Sequence, residues 1–259
     1  MDTPNTRPLS APSALHIFLS TQYHKLRSLQ HRLQFVRRKN ERLRRENIAV
    51  SQVHSLLNSG PYLPFNTGTI DSISMAAIFN DITLNNRKRI VELGSGVSTI
   101  MLARLIKKNG LSDTKLMSVD HKPEWTRLIR NMLEAEGLDD LVTFVAAPLA
   151  ASTFSVDDNL WYDERILETA FNEFGHDIDC LIVDGPNASS AGNHRARYPA
   201  LPYMFHRMHE KCVVFLDNAD RKGEQEILYL WRSFGIAVDM ITPGFAAMYR
   251  GEHFYIHRM

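Results

Sequence analysis

One feature constrains this chain more than any other: strand-sized apolar runs followed by amphipathic helical stretches, repeated along residues 89–235. RIVELGSG (89–96) is an apolar run closed by glycines, and TIMLARLIKKNG (99–110) is an amphipathic helix with a glycine stop. KLMSVDHK (115–122), LVTFVAAPL (141–149), DIDCLIVDGP (177–186) and KCVVFLDNAD (211–220) are further strands. EWTRLIRNMLEAEG (124–137) and GEQEILYLWRSFG (223–235) are further helices. Strands and helices in this alternation predict a parallel, doubly wound sheet with right-handed connections. The tail, residues 237–259, predicts two strands about the Pro243-Gly244 turn.

Upstream the pattern differs. Residues 1–13 are rich in Pro, Ser and Thr and are expected to be disordered. Residues 14–60 form a basic helical segment. Leu15, Leu19, Leu26, Leu29, Leu33, Val36, Leu43 and Val50 recur at steps of three and four, with polar breaks at Gln22, Asn40 and Asn47. Asn in a coiled-coil core sets register and oligomer state. Between Gln22 and Val50 there are nine Lys or Arg and two acids, Glu41 and Glu46. The helix packs on its own domain, pairs with a second copy as a homo-oligomer, or lies on an anionic membrane surface. The narrow stripe favours a helical partner over lipid. Ser59-Gly60-Pro61 ends the pattern, and residues 61–74 form a linker that could wall a site, with a helix expected over 72–80.

The bulk numbers bound the remaining classes. A chain of 259 residues carries one large domain and an appendage. A net charge of +1 gives no indication of specific nucleic-acid binding. Two cysteines, Cys180 and Cys212, in apolar runs do not make a disulfide framework. The N-terminus lacks a signal-peptide core, so a cytoplasmic protein is expected. The eleven histidines show no zinc-ligand spacing.

In a doubly wound sheet, ligands bind outside the carboxyl ends of the strands. The first such end is Glu92-Leu93-Gly94-Ser95-Gly96, and the next acid at a strand end is Asp120, 26 residues beyond Gly94. Glycines allow a tight turn and close ligand approach, and a strand-end carboxylate can accept from both ribose hydroxyls of a nucleoside. A dinucleotide fingerprint would need Gly or Ala where Thr99 stands, which weighs against a nicotinamide-dependent oxidoreductase. The intact Gly94, Gly96 and Asp120 weigh against a non-catalytic binding module recruited through the helix.

ELGSG after a strand and VD at the next strand end resemble the class I S-adenosylmethionine-dependent methyltransferases. LPF, VELGSGVST, VDHKPEW, APL, WYD, VDGP, RYPALP and LDNADRKGE resemble a bacterial subgroup that includes small-molecule and sugar O-methyltransferases. The resemblance spans about 61–259. It implies a Rossmann-like, mostly parallel sheet with an antiparallel last strand, and S-adenosylmethionine as cofactor. It implies that Glu92, Gly94, Ser95 and Gly96 line the methionine end, that Asp120 holds the ribose and that His121 lies near the adenine. Where many family members carry an acid after the third strand, this chain has Ala146-Ala147-Pro148-Leu149.

Two later strand ends are also polar. Asp184 ends the fourth strand, and Asp217 and Asn218 end the fifth. Two carboxylates and an amide are hard ligands suited to Mg²⁺, a set that resembles the metal triad of catechol-type O-methyltransferases. The alternative is that both acids merely cap turns. The loop 187–202 offers His194 as a general base and Arg195 or Arg197 for an anionic acceptor. Trp161-Tyr162-Asp163 is expected to be a packed surface flap or an acceptor wall. The acceptor implied is a small-molecule hydroxyl.

Overall fold

The computed structural model describes residues 14–66, 68–188 and 193–254. The expected disorder of residues 1–13 lies outside them, as do residues 189–192 of the loop after Asp184. The chain divides into two units, one reaching to Ile48 and the other from Ala49 onward.

The first unit is the greater part of helix α1 (Ala14–Leu57). Its apolar stripe, Leu26, Leu29, Leu33, Val36 and Leu43, is exposed, between 48% and 62%. One i,i+4 ion pair, Arg45 to Glu41 at 3.4 Å, stands among the cations and contributes a few tenths of a kcal/mol at most.

The second unit opens with the last turns of α1, where Ala49, Val53 and Leu56 are buried. Helix α2 (Ser72–Leu84) begins where Asp71 accepts from the amides of Ile73 and Ser74, an N-cap that ends the linker. Then follow β1 (Arg89–Leu93), α3 (Val97–Lys108), β2 (Lys115–Asp120), α4 (Pro123–Glu134) and β3 (Val142–Ala146). A hairpin, β4 (Leu149–Ala151) and β5 (Leu160–Tyr162), precedes α5 (Glu164–Phe174). The unit closes with β6 (Ile178–Val183), α6 (Ala200–Met204), β7 (Met208–Asp217), α7 (Lys222–Trp231), β8 (Ala237–Thr242) and β9 (Phe245–Arg250).

Seven strands form one sheet in the order β3-β2-β1-β6-β7-β9-β8. β9 runs antiparallel between β7 and β8, and the other neighbours are parallel. The doubly wound sheet with one reversed strand therefore stands as expected. The order reverses between β1 and β6, which places a ligand crevice at their carboxyl ends.

Period-two alternation divides the core. Ile90, Leu116, Cys180, Ile182, Val213 and Phe215 face a layer containing α2, α3 and α4. Val91, Leu93, Met117, Val119, Leu181, Val183 and Val214 face a layer containing α5, α6 and α7. Both cysteines are free and buried, one on each side.

The structure corrects the segment after β3. Trp161 and Tyr162 are fully buried rather than a surface flap. Leu160–Tyr162 pairs antiparallel with Leu149–Ala151 and turns both rings inward, with Trp161 5.0 Å from the Tyr203 ring. Helix α5, absent from the sequence expectation, fills the same layer with Leu167, Phe171 and Phe174. Among the described residues no helix is long and apolar enough to cross a membrane.

Candidate active site

The β1–α3 turn is built around backbone that only glycine tolerates. Gly94 has φ +104°, and a Cβ there would lie 2.9 Å from the Gly185 nitrogen and 3.0 Å from the Asp184 carbonyl carbon. The ends of β1 and β6 thus abut through glycine backbone. Gly96 differs: its backbone is extended and a Cβ would meet only Ser98, at 3.9 Å. The fold leaves room at Gly96, and that room faces a cleft.

The cleft holds about 760 Å³, the size of a small-molecule site. Gly94, Ser95, Gly96, Asp120, His121, Asp184 and Asn218 line it. Lys122, Trp125 and Leu128 add a wall, and Pro64, Asn66, Thr69 and Ile70 come from the linker suspected of this role. Residues 146–149 do not line it. Trp125 was not singled out from sequence. Its indole N–H donates to the Ser95 carbonyl at 2.7 Å, which pins the glycine turn from the side of α4.

Asp120 is buried to 7% exposure. One carboxylate oxygen accepts from the Ser95 amide at 3.2 Å and the other from the Lys122 amide at 2.8 Å. Its side chain therefore fixes the turn of β1 as well as presenting charge to the cleft. His121 lies beside it, Nδ1 3.5 Å from the carboxylate.

Glu92 does not reach the cleft wall. It points into the α2–α4 layer, fully buried, where Thr99 Oγ1 and Ser118 Oγ (2.9 Å) bond its carboxylate. Thr99 Oγ1 also accepts from the Gly96 amide at 3.0 Å. The acid thus braces the glycine turn from behind. Burial pushes its pKa up to about 7, against the hydroxyls of Ser98, Thr99 and Ser118 that hold it down.

At the opposite wall, Arg197 is 3% exposed and ties β6 to β7. It donates to the carbonyls of Asp184, Pro186 (3.2 Å) and Asp217 (2.9 Å), and to Asp184 Oδ1 at 3.2 Å. This arginine is a structural clasp on the cleft wall, not a free cation for an acceptor. Burial raises the carboxyl pKa of Asp184 well above the usual range, although Arg197 opposes it, and burial raises Asp217 too. The neighbouring Asp217 carboxyl adds to the rise at Asp184. Asn218 follows with φ +58°, a left-handed conformation that Asn accepts more readily than most residues.

His194 is not brought to this group. It is about half exposed, 3.9 Å from Glu226 on α7, and does not line the cleft. The loop docks on α7, so its histidine points away from the strand ends. Tyr162 does line the cleft. Its hydroxyl is buried beside Gly185 and has no hydrogen-bond partner among the described residues. Of the two roles expected for this motif, Tyr162 takes the wall. Among the described residues no group of three or more His, Cys, Asp or Glu could hold a metal ion.

Comparison with known proteins agrees with the geometry. A family profile described as a methyltransferase domain matches residues 91–219. A second, described as protein-L-isoaspartate(D-aspartate) O-methyltransferase, matches residues 28–152. No curated protein sequence matches. Among solved structures, a putative caffeoyl-CoA O-methyltransferase from Staphylococcus aureus has a TM-score of 0.50 at 15% identity, covering 73% of this chain and 86% of that one. The SAH-bound O-methyltransferase of Bacillus cereus also scores 0.50, at 16% identity over 80% and 90%. A SAH-bound methyltransferase of Podospora anserina scores 0.51, at 11% identity over 79% and 88%.

Proposed function

We propose that this chain, a class I S-adenosylmethionine-dependent methyltransferase, methylates a hydroxyl of a small molecule or sugar at the wall formed by Asp184 and Asn218, with the buried Asp217 next to Asn218 at the end of β7. The observation that carries this is the convergence of the glycine turn, Asp120, Asp184 and Asn218 on one cleft at the point where the strand order reverses.

The residues present fit the cofactor. Gly96 leaves open space for close approach, and Asp120 presents a carboxylate to the same cleft, where it would accept from ribose hydroxyls. His121, Trp125 and Leu128 supply a flat and apolar wall for a base. S-adenosylmethionine supplies an electrophilic methyl group whose leaving thioether needs no proton. The protein's share of the work is then to orient the acceptor oxygen in line and to receive its proton.

Asp184 is the carboxyl on the cleft wall, and burial makes its ionised form a stronger base than a solvated carboxylate. The expectation that His194 serves as the base is not supported by its position on α7. The carboxyl pair also suits Mg²⁺. Asp184 and Asp217 at adjacent strand ends, with the amide of Asn218 beside them, are oxygen donors of the kind a hard cation takes. Bound there, Mg²⁺ would lower the pKa of the acceptor hydroxyl. Two of the structural relatives are O-methyltransferases by name, which accords with an oxygen acceptor.

Calorimetric titration with S-adenosylmethionine tests the cofactor site. Wild type is expected to bind, and Asp120→Ala to weaken binding by about tenfold or more, since a buried carboxylate acceptor is lost. Unchanged affinity in that variant would move the ribose elsewhere. For the chemical site, Asp184→Asn is expected to retain cofactor affinity and lose methyl transfer to a panel of hydroxylated acceptors. A chelator should abolish turnover and Mg²⁺ restore it, and full turnover in chelator would remove the metal from the proposal.

A further inference from the structure

The basic helix carries a second inference, independent of the methyl-transfer site. The exposed stripe of α1 fits a strict heptad. Leu26, Leu33, Asn40 and Asn47 occupy one core position, and Leu29, Val36, Leu43 and Val50 the other. Leu26, Leu29, Leu33 and Val36 are 50–62% exposed, and Leu43 and Val50 are 48% and 44% exposed. Two of seven positions make a seam for one partner helix, too narrow for lipid. Polar Asn40 and Asn47 within the seam would be costly in an acyl layer, but in a coiled coil they select register and pairing.

The residues flanking the seam identify the partner. Five cations flank the seam, Lys25, Arg32 and Lys39 before the first core position and Arg37 and Arg44 after the second, with Glu46, Gln30 and Ser51 at the remaining flanking positions. All five are exposed. In a parallel homodimer Arg32 would face Arg37 of a second copy, and Lys39 would face Arg44. In an antiparallel homodimer the preceding positions face each other and the following positions face each other, so Arg32 would face Lys39 and Arg37 would face Arg44, with Glu46 the one acid among them. Like charges at these positions disfavour self-pairing and set partner choice. We propose that α1 docks a helix of a different protein, with a matching Leu and Asn seam flanked by Glu or Asp. This partner differs from the second copy expected from the stripe and its Asn positions.

The test uses the full chain and a synthetic acidic helix. That peptide carries Glu at both flanking positions, Leu in the seam, and Asn opposite Asn40 and Asn47. The protein alone should sediment as a monomer and bind this peptide one to one. A peptide with Lys in place of each Glu should bind at least about a hundredfold more weakly, because repulsion replaces attraction at the five cationic flanking positions. Leu33→Asp and Val36→Asp should abolish binding while S-adenosylmethionine affinity stays unchanged, which shows that the fold is intact. The double variant Arg32→Glu, Lys39→Glu puts acids opposite Arg37 and Arg44 of a second copy and should convert the monomer into a dimer. A wild-type dimer that ignores the acidic peptide would overturn the proposal. So would anionic vesicles or single-stranded DNA binding as tightly as the peptide, with Leu33→Asp making no difference.

Discussion

Glu92 illustrates how one side chain can be read correctly in type and wrongly in role. Its position before the glycine turn suggested contact with a cationic ligand, yet strand alternation sends it into the core behind the turn. Its raised pKa has a consequence for stability. The folded chain holds a proton at Glu92 that the unfolded chain releases near the ordinary value of 4.5, so stability from this group is fully present below pH 4.5 and declines as pH rises to about 7. The shift corresponds to on the order of 3 kcal/mol lost across that window. Glu92→Gln should remove this part of the slope, making the variant less sensitive than wild type between pH 5 and pH 8 in urea denaturation. Parallel curves for the two proteins would show that Glu92 titrates as a solvated acid. Asp120, by contrast, was legible from sequence because a strand-end acid must face the crevice. Arg197 was visible as a cation but not as a clasp, since its three carbonyl partners come from the ends of β6 and β7.

At the scale of elements, the helices and strands with a strong period were legible within a few residues: β1, β2, α3, α4, β6, α7 and the closing strand pair. The stretch between β3 and β6 was not. Three-residue strands such as β4 and β5 have too few positions for a period to show, and their burial depends on Tyr203 from a distant segment. The junction after α1 is likewise set by a distant residue. Arg104 on α3, 3% exposed, donates to the carbonyls of Leu56, Leu57 and Pro61 and pairs with Glu136 at 2.6 Å. The Leu56 and Leu57 carbonyls end a helix, and Ser59 also donates to that of Leu56. Arg104→Ala removes the guanidinium that bonds the Glu136 carboxylate and the Leu57 and Pro61 carbonyls and should cost about 3–5 kcal/mol in equilibrium unfolding. A loss below about 1 kcal/mol would mean that water satisfies them instead.

For the molecule as a whole, the division at Ile48 predicts independence of the two units. A chain beginning at Ala49 should bind S-adenosylmethionine within about twofold of the full protein, because the cleft draws all its walls from the second unit. A large loss of affinity, measured by calorimetry on a truncated protein with an intact melting transition, would implicate the helix in the cofactor site. By itself the sequence determined the doubly wound class, the strand ends that carry Gly94, Asp120, Asp184 and Asn218, and the heptad of α1. Those are local properties, written in hydrophobic period, turn residues and charge spacing. Only the tertiary structure decided that Glu92 braces rather than lines the cleft, that Tyr162 and Trp125 join its walls and that His194 does not. Those outcomes depend on which distant segments meet, and burial, pKa and hydrogen-bond partners are properties of that meeting rather than of any stretch of chain.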